Sequence, residues 1–183
     1  KGFGGVIPAP VDLTDADTAL IAKADALYAT ARAAMDKQAI KTWLDAVWEV
    51  VGEGDRYFAN EKPFDKSLTP ERKGTILYVT AEVVRQLAIL VQPVMPQSAD
   101  KLLQLLALSD PASCTFSNLG AAGRLKPGTQ LPEPQGVFPR YVDPAAETKK
   151  SGSVSAEEQE AAKRAKKAKK EANRQKFKAE DGT

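Results

Sequence analysis

The chain has 183 residues, 43% of them hydrophobic, which is enough to bury a core in one domain with extensions. It contains no histidine and a single cysteine, which excludes the commonest general base, the commonest metal ligand and an internal disulfide. The sequence has no run of about 18 apolar residues and no signal-peptide pattern, so we expect no spanning helix and no membrane partner.

Two amphipathic helices are predicted after an irregular lead-in over residues 1–11, which is rich in glycine and proline. Thr14 is expected to cap the first helix, with Asp17 three residues on as in a capping box. Its apolar stripe consists of Leu20, Ala24, Leu27, Ala31 and Met35. The second helix begins near Lys37. Because aromatic residues on an apolar helix face usually pack, we assign four to the core: Trp43, Trp48, Tyr57 and Phe58.

The third predicted helix is the most apolar part of the chain. Thr69 is a typical N-cap residue, and Pro70 occupies the first turn, where proline is tolerated. Apolar residues then recur with a period near 3.6 on more than one side, which is typical of the central helix of a bundle. Pro93 ends this helix near Val91, and Pro96 opens a fourth. The sequence therefore predicts an all-α helical bundle.

Beyond the bundle, over residues 109–146, the pattern changes to prolines and glycines with short apolar runs. We interpret this segment as an extended strap that packs over the bundle. Its expected anchors are Phe116, Leu119, Leu125, Val137, Phe138 and Tyr141. Cys114 lies in the strap without a histidine or a lysine cluster beside it, so we expect it to be chemically inert.

Residues 147–183 are predicted to form a flexible linker and a basic helix. Residues 163–178 hold nine Lys or Arg and one acid, a net +8, which leaves −6 of the overall +2 for the rest of the chain. Such a helix can bind phosphates without sequence preference by releasing counterions, and a solitary solvated helix is the alternative. The candidate phosphate-contacting residues are Lys163, Arg164, Lys166, Lys167, Lys169, Lys170 and Arg174.

Four segments follow one another in the bundle region: Tyr57-Phe58-Ala59-Asn60-Glu61-Lys62-Pro63-Phe64, Thr75-Ile76-Leu77-Tyr78-Val79, Val84-Arg85-Gln86-Leu87-Ala88-Ile89-Leu90 and Gln92-Pro93-Val94-Met95-Pro96. Gly4-Gly5-Val6-Ile7-Pro8 precedes them and Val137-Phe138-Pro139-Arg140-Tyr141 follows. This ordered set resembles the anticodon-binding helix bundle of bacterial-type methionyl-tRNA synthetases, over roughly residues 1–143. The ordered set is more specific than any one segment, because Pro-x-Met-Pro also occurs in related class I synthetases.

The resemblance implies a site at the connection between the second and third helices. Phe64 occupies the position where the family carries a tryptophan that stacks on an anticodon base, and capping the bundle end is its alternative role. Asn60 is suited to read a base edge, Lys62 to position a phosphate and Glu61 to reject a wrong base. Their alternative role is that of solvated residues at a helix end.

Two further expectations concern arginines and the bundle's completeness. Arg85 has two possible roles, contact with a phosphate or pairing with Glu82. The resemblance places the family's anticodon-reading asparagine and arginine on a helix upstream of Lys1. We therefore expect residues 1–108 to form the anticodon-binding bundle without its first helix.

The function implied by the resemblance is that of the tRNA anticodon-binding part of a methionine–tRNA ligase. It would position tRNA(Met) for ATP-dependent methionylation in translation by a catalytic domain absent from this chain. No catalytic residue, metal site or cofactor is expected here, because phosphate-binding loops, metal-ligand spacings and class I ATP motifs are missing. ATP with Mg²⁺ is expected in the absent catalytic domain.

The expected partners are tRNA with a methionine-type anticodon and the catalytic domain of the same enzyme. The expected compartment is the cytoplasm, with an organelle after processing left open. The alternative function is that of a non-catalytic helical protein-interaction module whose basic tail binds another polyanion. The helical pattern fits both, and the ordered resemblance favours the first.

Overall fold

The computed structural model describes residues 3–138. Four α-helices make up most of this part: α1 (Asp15–Asp36), α2 (Ile40–Glu61), α3 (Pro70–Val91) and α4 (Pro96–Leu105). Three short 3₁₀ turns follow, at Pro111–Cys114, Phe116–Asn118 and Gly120–Gly123. Residues 3–138 contain no β-strand and only one isolated β-bridge, between Val6 and Gln130, which confirms the all-α prediction. Tyr141 and the basic tail helix lie outside the described residues.

The helix boundaries follow local signals in the sequence. Thr14 and Asp17 form the predicted capping box, in which the Thr14 N–H donates to Asp17 Oδ2 at 2.9 Å. The Thr69 hydroxyl accepts the backbone N–H of Arg72 at 3.2 Å, and Pro70 opens α3 as predicted. α2 begins at Ile40 rather than near Lys37, because Gln38 adopts a left-handed conformation with φ 56° that no helix accommodates.

α3 is the centre of the bundle, as predicted. It packs against α1, α2 and α4, and Ile76, Val79 and Ile89 are completely buried on it. By length and composition alone, α3 is the one helix among the described residues that could cross a membrane. However, 72% of its most apolar window is buried inside the protein, so its apolar surface serves the bundle core.

The assignment of Trp48 to the core is wrong. Trp43 is 5% exposed, whereas Trp48, on the same helix, is 68% exposed. The buried positions of α2 include Val47 and Val50, which define the face turned toward the other helices. The two tryptophans are five positions apart in the sequence, which places them about 140° apart around a helix with 3.6 residues per turn. Met35, which was predicted to lie in the apolar stripe of α1, is also exposed, and the neighbouring Ala34 is buried in the core instead.

The strap is held to the bundle by polar groups more than by the predicted aromatic anchors. Leu125 is buried and Leu119 packs against the core, as predicted. Phe138 is 66% exposed and does not anchor the strap, and Phe116 keeps 41% of its surface exposed while its ring contacts Tyr28. In place of those rings, Arg124 and the Leu125 N–H of the strap donate to the buried Glu82 carboxylate on α3, whose burial requires such hydrogen bonds.

The lead-in is paired to the strap near residue 130, although the sequence suggested only irregular structure in the lead-in. The Ile7 N–H donates to Thr129 O at 2.9 Å, and the Gly128 N–H donates to Ile7 O at 2.8 Å. The Leu131 N–H donates to Gly5 O at 2.8 Å. Ile7 itself is buried in a small cluster with Tyr78 and Leu125. The lead-in and this part of the strap therefore meet on one side of α3.

Candidate functional site

The candidate site is the α2–α3 loop, residues 62–69, at one end of the bundle. Lys62 ends α2 in the left-handed conformation, with φ 46° and ψ 60°, so the chain turns sharply away from the helix. Pro63 is buried, and the Asp65 N–H donates to Lys62 O at 2.8 Å. The Asp65 carboxylate accepts the Ser67 N–H and hydroxyl, both at 2.9 Å, and these bonds lower the pKa of Asp65. The loop is therefore held by its own hydrogen bonds.

Phe64 is presented at the tip of this turn with 82% of its surface exposed. Its only aromatic neighbour among the described residues is Phe58, with ring centroids 5.7 Å apart and planes at 74°. Such an edge-to-face contact fixes the orientation of a ring without covering both of its faces. The ring does not close the bundle end by burial, and its face is open to a planar ligand. Base stacking on Phe64 stays a prediction.

The other three predicted site residues differ in how free their side chains are. Asn60 and Lys62 are exposed on either side of the helix end. Glu61 is partly buried, and its Oε2 accepts a hydrogen bond from Arg72 Nη2 at 2.6 Å. The predicted base contacts of Asn60, Lys62 and Glu61 stay predictions. The structure does show that Glu61 is ion-paired rather than simply solvated.

A buried ion cluster lies directly behind the loop. The Asp17 carboxylate is completely buried and accepts Tyr57 Oη–H at 2.6 Å and Arg72 Nη2 at 3.0 Å. Its burial acts to raise its pKa, but the hydrogen bonds from Arg72, Tyr57 and the Thr14 N–H outweigh this and lower the pKa to about 2. Burial, and then the bond to Asp17, raise the pKa of Tyr57. The pKa of Arg72 is raised chiefly by its hydrogen bond to Asp17. The cluster thus keeps one stable charge state near neutral pH.

Arg85 pairs with Glu82 and does not present a phosphate-binding group. Both side chains are completely buried, and Arg85 Nη2 lies 2.6 Å from Glu82 Oε1. Arg85 Nη1 also donates to the Asn118 carbonyl in the strap at 2.7 Å. From the strap, Arg124 Nη1 donates to Glu82 Oε1 at 3.0 Å. Of the two roles considered for Arg85, the structure thus selects the ion pair, which ties the strap to α3.

The described residues offer little to a metal ion or a nucleophilic reaction. Within residues 3–138 no group of three or more Asp, Glu, Cys or His is placed to hold a metal. Cys114 is partly buried, and its burial, with nearby Asp110 and Asp100, raises the pKa of the thiol. A raised thiol pKa disfavours the thiolate that nucleophilic chemistry requires, which agrees with the inert role predicted for Cys114.

Comparison with known proteins assigns the chain to a family. The model of the family described as the anticodon binding domain of methionyl tRNA ligase matches residues 7–157. The chain belongs to this family. The helix bundle and the Phe64 loop described above are thus parts of an anticodon-binding domain, as the sequence resemblance implied.

Curated relatives of this anticodon-binding domain are methionine–tRNA ligases. The Rhizobium meliloti enzyme is 52% identical over 147 residues, which cover 80% of this chain and 28% of the relative. The Mycobacterium leprae enzyme is 44% identical and is matched over 77% of this chain and 27% of the relative. The chain therefore spans little more than a quarter of the relatives it matches, and the match is to their non-catalytic anticodon-binding region.

Solved structures give the same result. Apo methionyl-tRNA synthetase of Mycobacterium tuberculosis is similar with a TM-score of 0.71 and 45% identity, over 79% of this chain and 29% of that protein. The same enzyme in complex with methionyl-adenylate is similar with a TM-score of 0.72, over 76% of this chain and 28% of that protein. The helical architecture of the anticodon-binding domain is thus shared with experimentally solved synthetases.

The sequence pattern does not predict the role of Arg72 at this site. It places Arg72 in the first turn of α3 and identifies Asp17 only as a capping residue. Their contact joins positions 55 residues apart, so no helical spacing predicts it. One signal in the sequence could have indicated this contact. An acid, Glu61, precedes the loop, and an arginine, Arg72, follows it near the predicted start of a helix.

Proposed function

We propose that the chain is the tRNA anticodon-binding part of a methionine–tRNA ligase. In this role it holds the anticodon loop of tRNA(Met) while a catalytic domain elsewhere in the enzyme methionylates the acceptor end. The observation that carries the proposal is the presentation of Phe64, 82% exposed on a loop with a fixed backbone, in a chain of this family. Exposing an aromatic ring to water costs free energy. An exposed ring face can recover it by stacking against a base that is splayed out of the RNA stack.

The mechanism is recognition of splayed anticodon bases. One base stacks on the open face of Phe64, and stacking of this kind contributes roughly 1–3 kcal/mol per base. Asn60, exposed in the last turn of α2, offers an amide to a base edge. Lys62 offers an ammonium group to a backbone phosphate, which sets register without reading sequence.

The rest of the enzyme supplies the chemistry. ATP with Mg²⁺ acts in the catalytic domain, and the anticodon-binding part contributes by orienting the tRNA so that its acceptor end reaches that domain. The basic residues 163–178 add affinity for RNA phosphates without sequence preference. We place the enzyme in the cytoplasm, where translation supplies its substrate.

The test is fluorescence anisotropy of a labelled methionine-type anticodon stem-loop titrated with the full chain. Phe64→Ala should weaken binding about tenfold, because it removes one stacked base contact. Trp48→Ala is the matched control, since it removes another exposed aromatic ring, which lies on α2 about 15 Å along the helix from Phe58, and it should leave affinity unchanged.

Equal affinities of the unaltered chain and Phe64→Ala, with circular dichroism showing both folded, would contradict this function. That result would favour the alternative function, a protein-interaction module whose partner surface lies elsewhere. Loss of binding in Trp48→Ala as well would show that affinity depends on the fold in general rather than on the Phe64 loop.

A further inference from the structure

The base of the Phe64 loop is closed by one ion pair. Glu61 is the last residue of α2, and Arg72 lies in the first turn of α3, so the two flank the loop on its two sides. Arg72 Nη2 donates to Glu61 Oε2 at 2.6 Å and to Asp17 Oδ1 at 3.0 Å. The guanidinium therefore links the end of α2 to the start of α3 and both to α1.

This link joins the two ends of the loop through side chains. The Phe64 ring contacts Phe58 on α2, so the first half of the loop is attached to α2. The second half of the loop leads to Thr69, the N-cap residue of α3. The loop's internal bonds, from Asp65 to Lys62 and to Ser67, fix its shape but do not reach α3. Among the described side chains, Arg72 is the group that spans the gap to Glu61.

We propose that Glu61 and Arg72 form a clamp that positions Phe64 for the anticodon base. The inference rests on the proposed function and assigns Glu61 a positioning role, exerted through Arg72, in place of contact with a base. A ring held in its binding orientation before RNA arrives loses less freedom on binding, which favours affinity. The clamp is thus a preorganising element of the site.

The surroundings of Glu61 support this role over direct reading of a base. Its side chain is 25% exposed, and its Oε2 accepts a hydrogen bond from the Arg72 guanidinium at 2.6 Å. A carboxylate that rejects a wrong base must face the RNA, whereas this one faces Arg72. Asn60 and Lys62, its exposed neighbours, have the access to RNA that Glu61 lacks.

The first test needs no RNA. The full chain is labelled with fluorophenylalanine, and the ¹⁹F signal of residue 64 is assigned with Phe64→Leu. Glu61→Ala should move this signal toward its unfolded-state shift, because the ring loses its fixed place against Phe58. Glu71→Ala, which removes a nearby exposed acid, should leave the signal in place. An unchanged signal in Glu61→Ala would overturn the clamp.

Glu61→Ala is preferred to a change at Arg72, because losing Arg72 leaves the buried Asp17 carboxylate without its cation and endangers folding. Glu61→Gln is the conservative variant. It keeps an oxygen that accepts from Arg72 but removes the negative charge. The clamp predicts that the ¹⁹F signal of Glu61→Gln stays close to that of the unaltered chain.

The second test is binding of the labelled stem-loop. Glu61→Ala should lower affinity at least about threefold, less than the roughly tenfold loss in Phe64→Ala. Glu61→Ala combined with Phe64→Ala should bind like Phe64→Ala alone, since the clamp acts through that ring. Glu61→Gln should retain affinity and anticodon preference.

The outcomes separate the clamp from the proposed function. If Phe64→Ala weakens binding and Glu61→Ala does not, the clamp is overturned while the anticodon-binding function stands. If Glu61→Gln loses anticodon preference, or the two alanine changes are additive, Glu61 contacts the RNA itself and the clamp is again overturned. If Phe64→Ala leaves binding intact, the proposed function fails first, and the role of the clamp in RNA binding fails with it.

Discussion

At the scale of single residues, exposure separates side chains that the sequence pattern groups together. Trp43 and Trp48 lie on one helix, yet the first is buried and the second is 68% exposed. Phe64 is exposed to a similar extent, but only Phe64 lies on a connection between helices, held by a neighbouring ring. Position on a fixed loop, rather than exposure alone, marks Phe64 as a functional candidate.

Asp17 should give the domain a distinct acid sensitivity. Its pKa of about 2 in the folded chain lies below the ordinary 3.8, so its charge stabilises the fold above pH 3.8. That stabilisation is lost as the pH falls through about 2. The free energy of unfolding should differ between the unaltered chain and Asp17→Asn by about 2 kcal/mol near pH 5, and the difference should shrink toward pH 2.

Urea denaturation at pH 5, 4, 3 and 2.5 measures this difference. Asp36→Asn is the control, because Asp36 is 65% exposed in an ion pair with Arg32, and its effect should stay within about 0.5 kcal/mol. A difference for Asp17→Asn that does not change with pH would contradict the role assigned to its carboxylate.

At the scale of elements, the starts of α1 and α3 were predictable, whereas the start of α2 and the strap contacts were not. Thr14 and Thr69 cap α1 and α3 through bonds to residues three positions on, so the sequence alone contains the signal. By contrast, Arg124 reaches Glu82 across 42 positions, and the lead-in pairs with residues near 130. Contacts of that range depend on how the helices pack, which no local pattern records.

At the candidate site, too, local features were predictable and long-range contacts were not. The sequence located the loop and its four polar or aromatic residues by resemblance, and the structure places them at one helix end. It did not predict the pairing of Glu61 with Arg72, because that bond forms only when α2 and α3 fold back on each other. The residues of the loop could therefore be predicted from the sequence, whereas their contacts with other helices could be seen only in the folded structure.

The strap should depend on the buried charge of α3. Arg85→Met removes two of the donors to Glu82 and the donor to the Asn118 carbonyl, and leaves buried oxygens less satisfied. We expect it to lower the free energy of unfolding by about 3 kcal/mol. Arg32→Met removes an exposed i,i+4 pair and should cost under about 0.5 kcal/mol.

Chemical denaturation of the two arginine variants tests this prediction. Hydrogen exchange provides a second readout, since the strap amides near Gly120 and Leu125 should lose protection in Arg85→Met before the amides of α1. Equal stabilities for the two variants would show that the Glu82 cluster does not hold the strap.

At the scale of the whole molecule, charge and specificity are assigned to different parts of the chain. Residues 163–178 hold a net charge of +8, while the bundle carries the aromatic loop. Removal of residues 149–183 should lower RNA affinity at low salt and flatten its dependence on salt, because fewer counterions are released on binding. The preference for the methionine anticodon should survive.

Anisotropy titrations of the full and shortened chains at several salt concentrations measure both slopes. An unchanged salt dependence after removal of residues 149–183 would contradict the role of the tail as a phosphate-binding arm. Loss of anticodon preference on the same removal would place recognition in the tail rather than in the bundle.

We propose, as the central claim about this anticodon-binding domain, that it distinguishes the methionine anticodon. The most direct measurement is a competition in which two unlabelled stem-loops, identical except for the anticodon, displace the labelled methionine-type stem-loop from the full chain. We predict that the methionine-type competitor displaces it at a lower concentration, by about tenfold for one lost base contact. Displacement at equal concentrations would contradict the claim and leave the chain a nonspecific RNA-binding module.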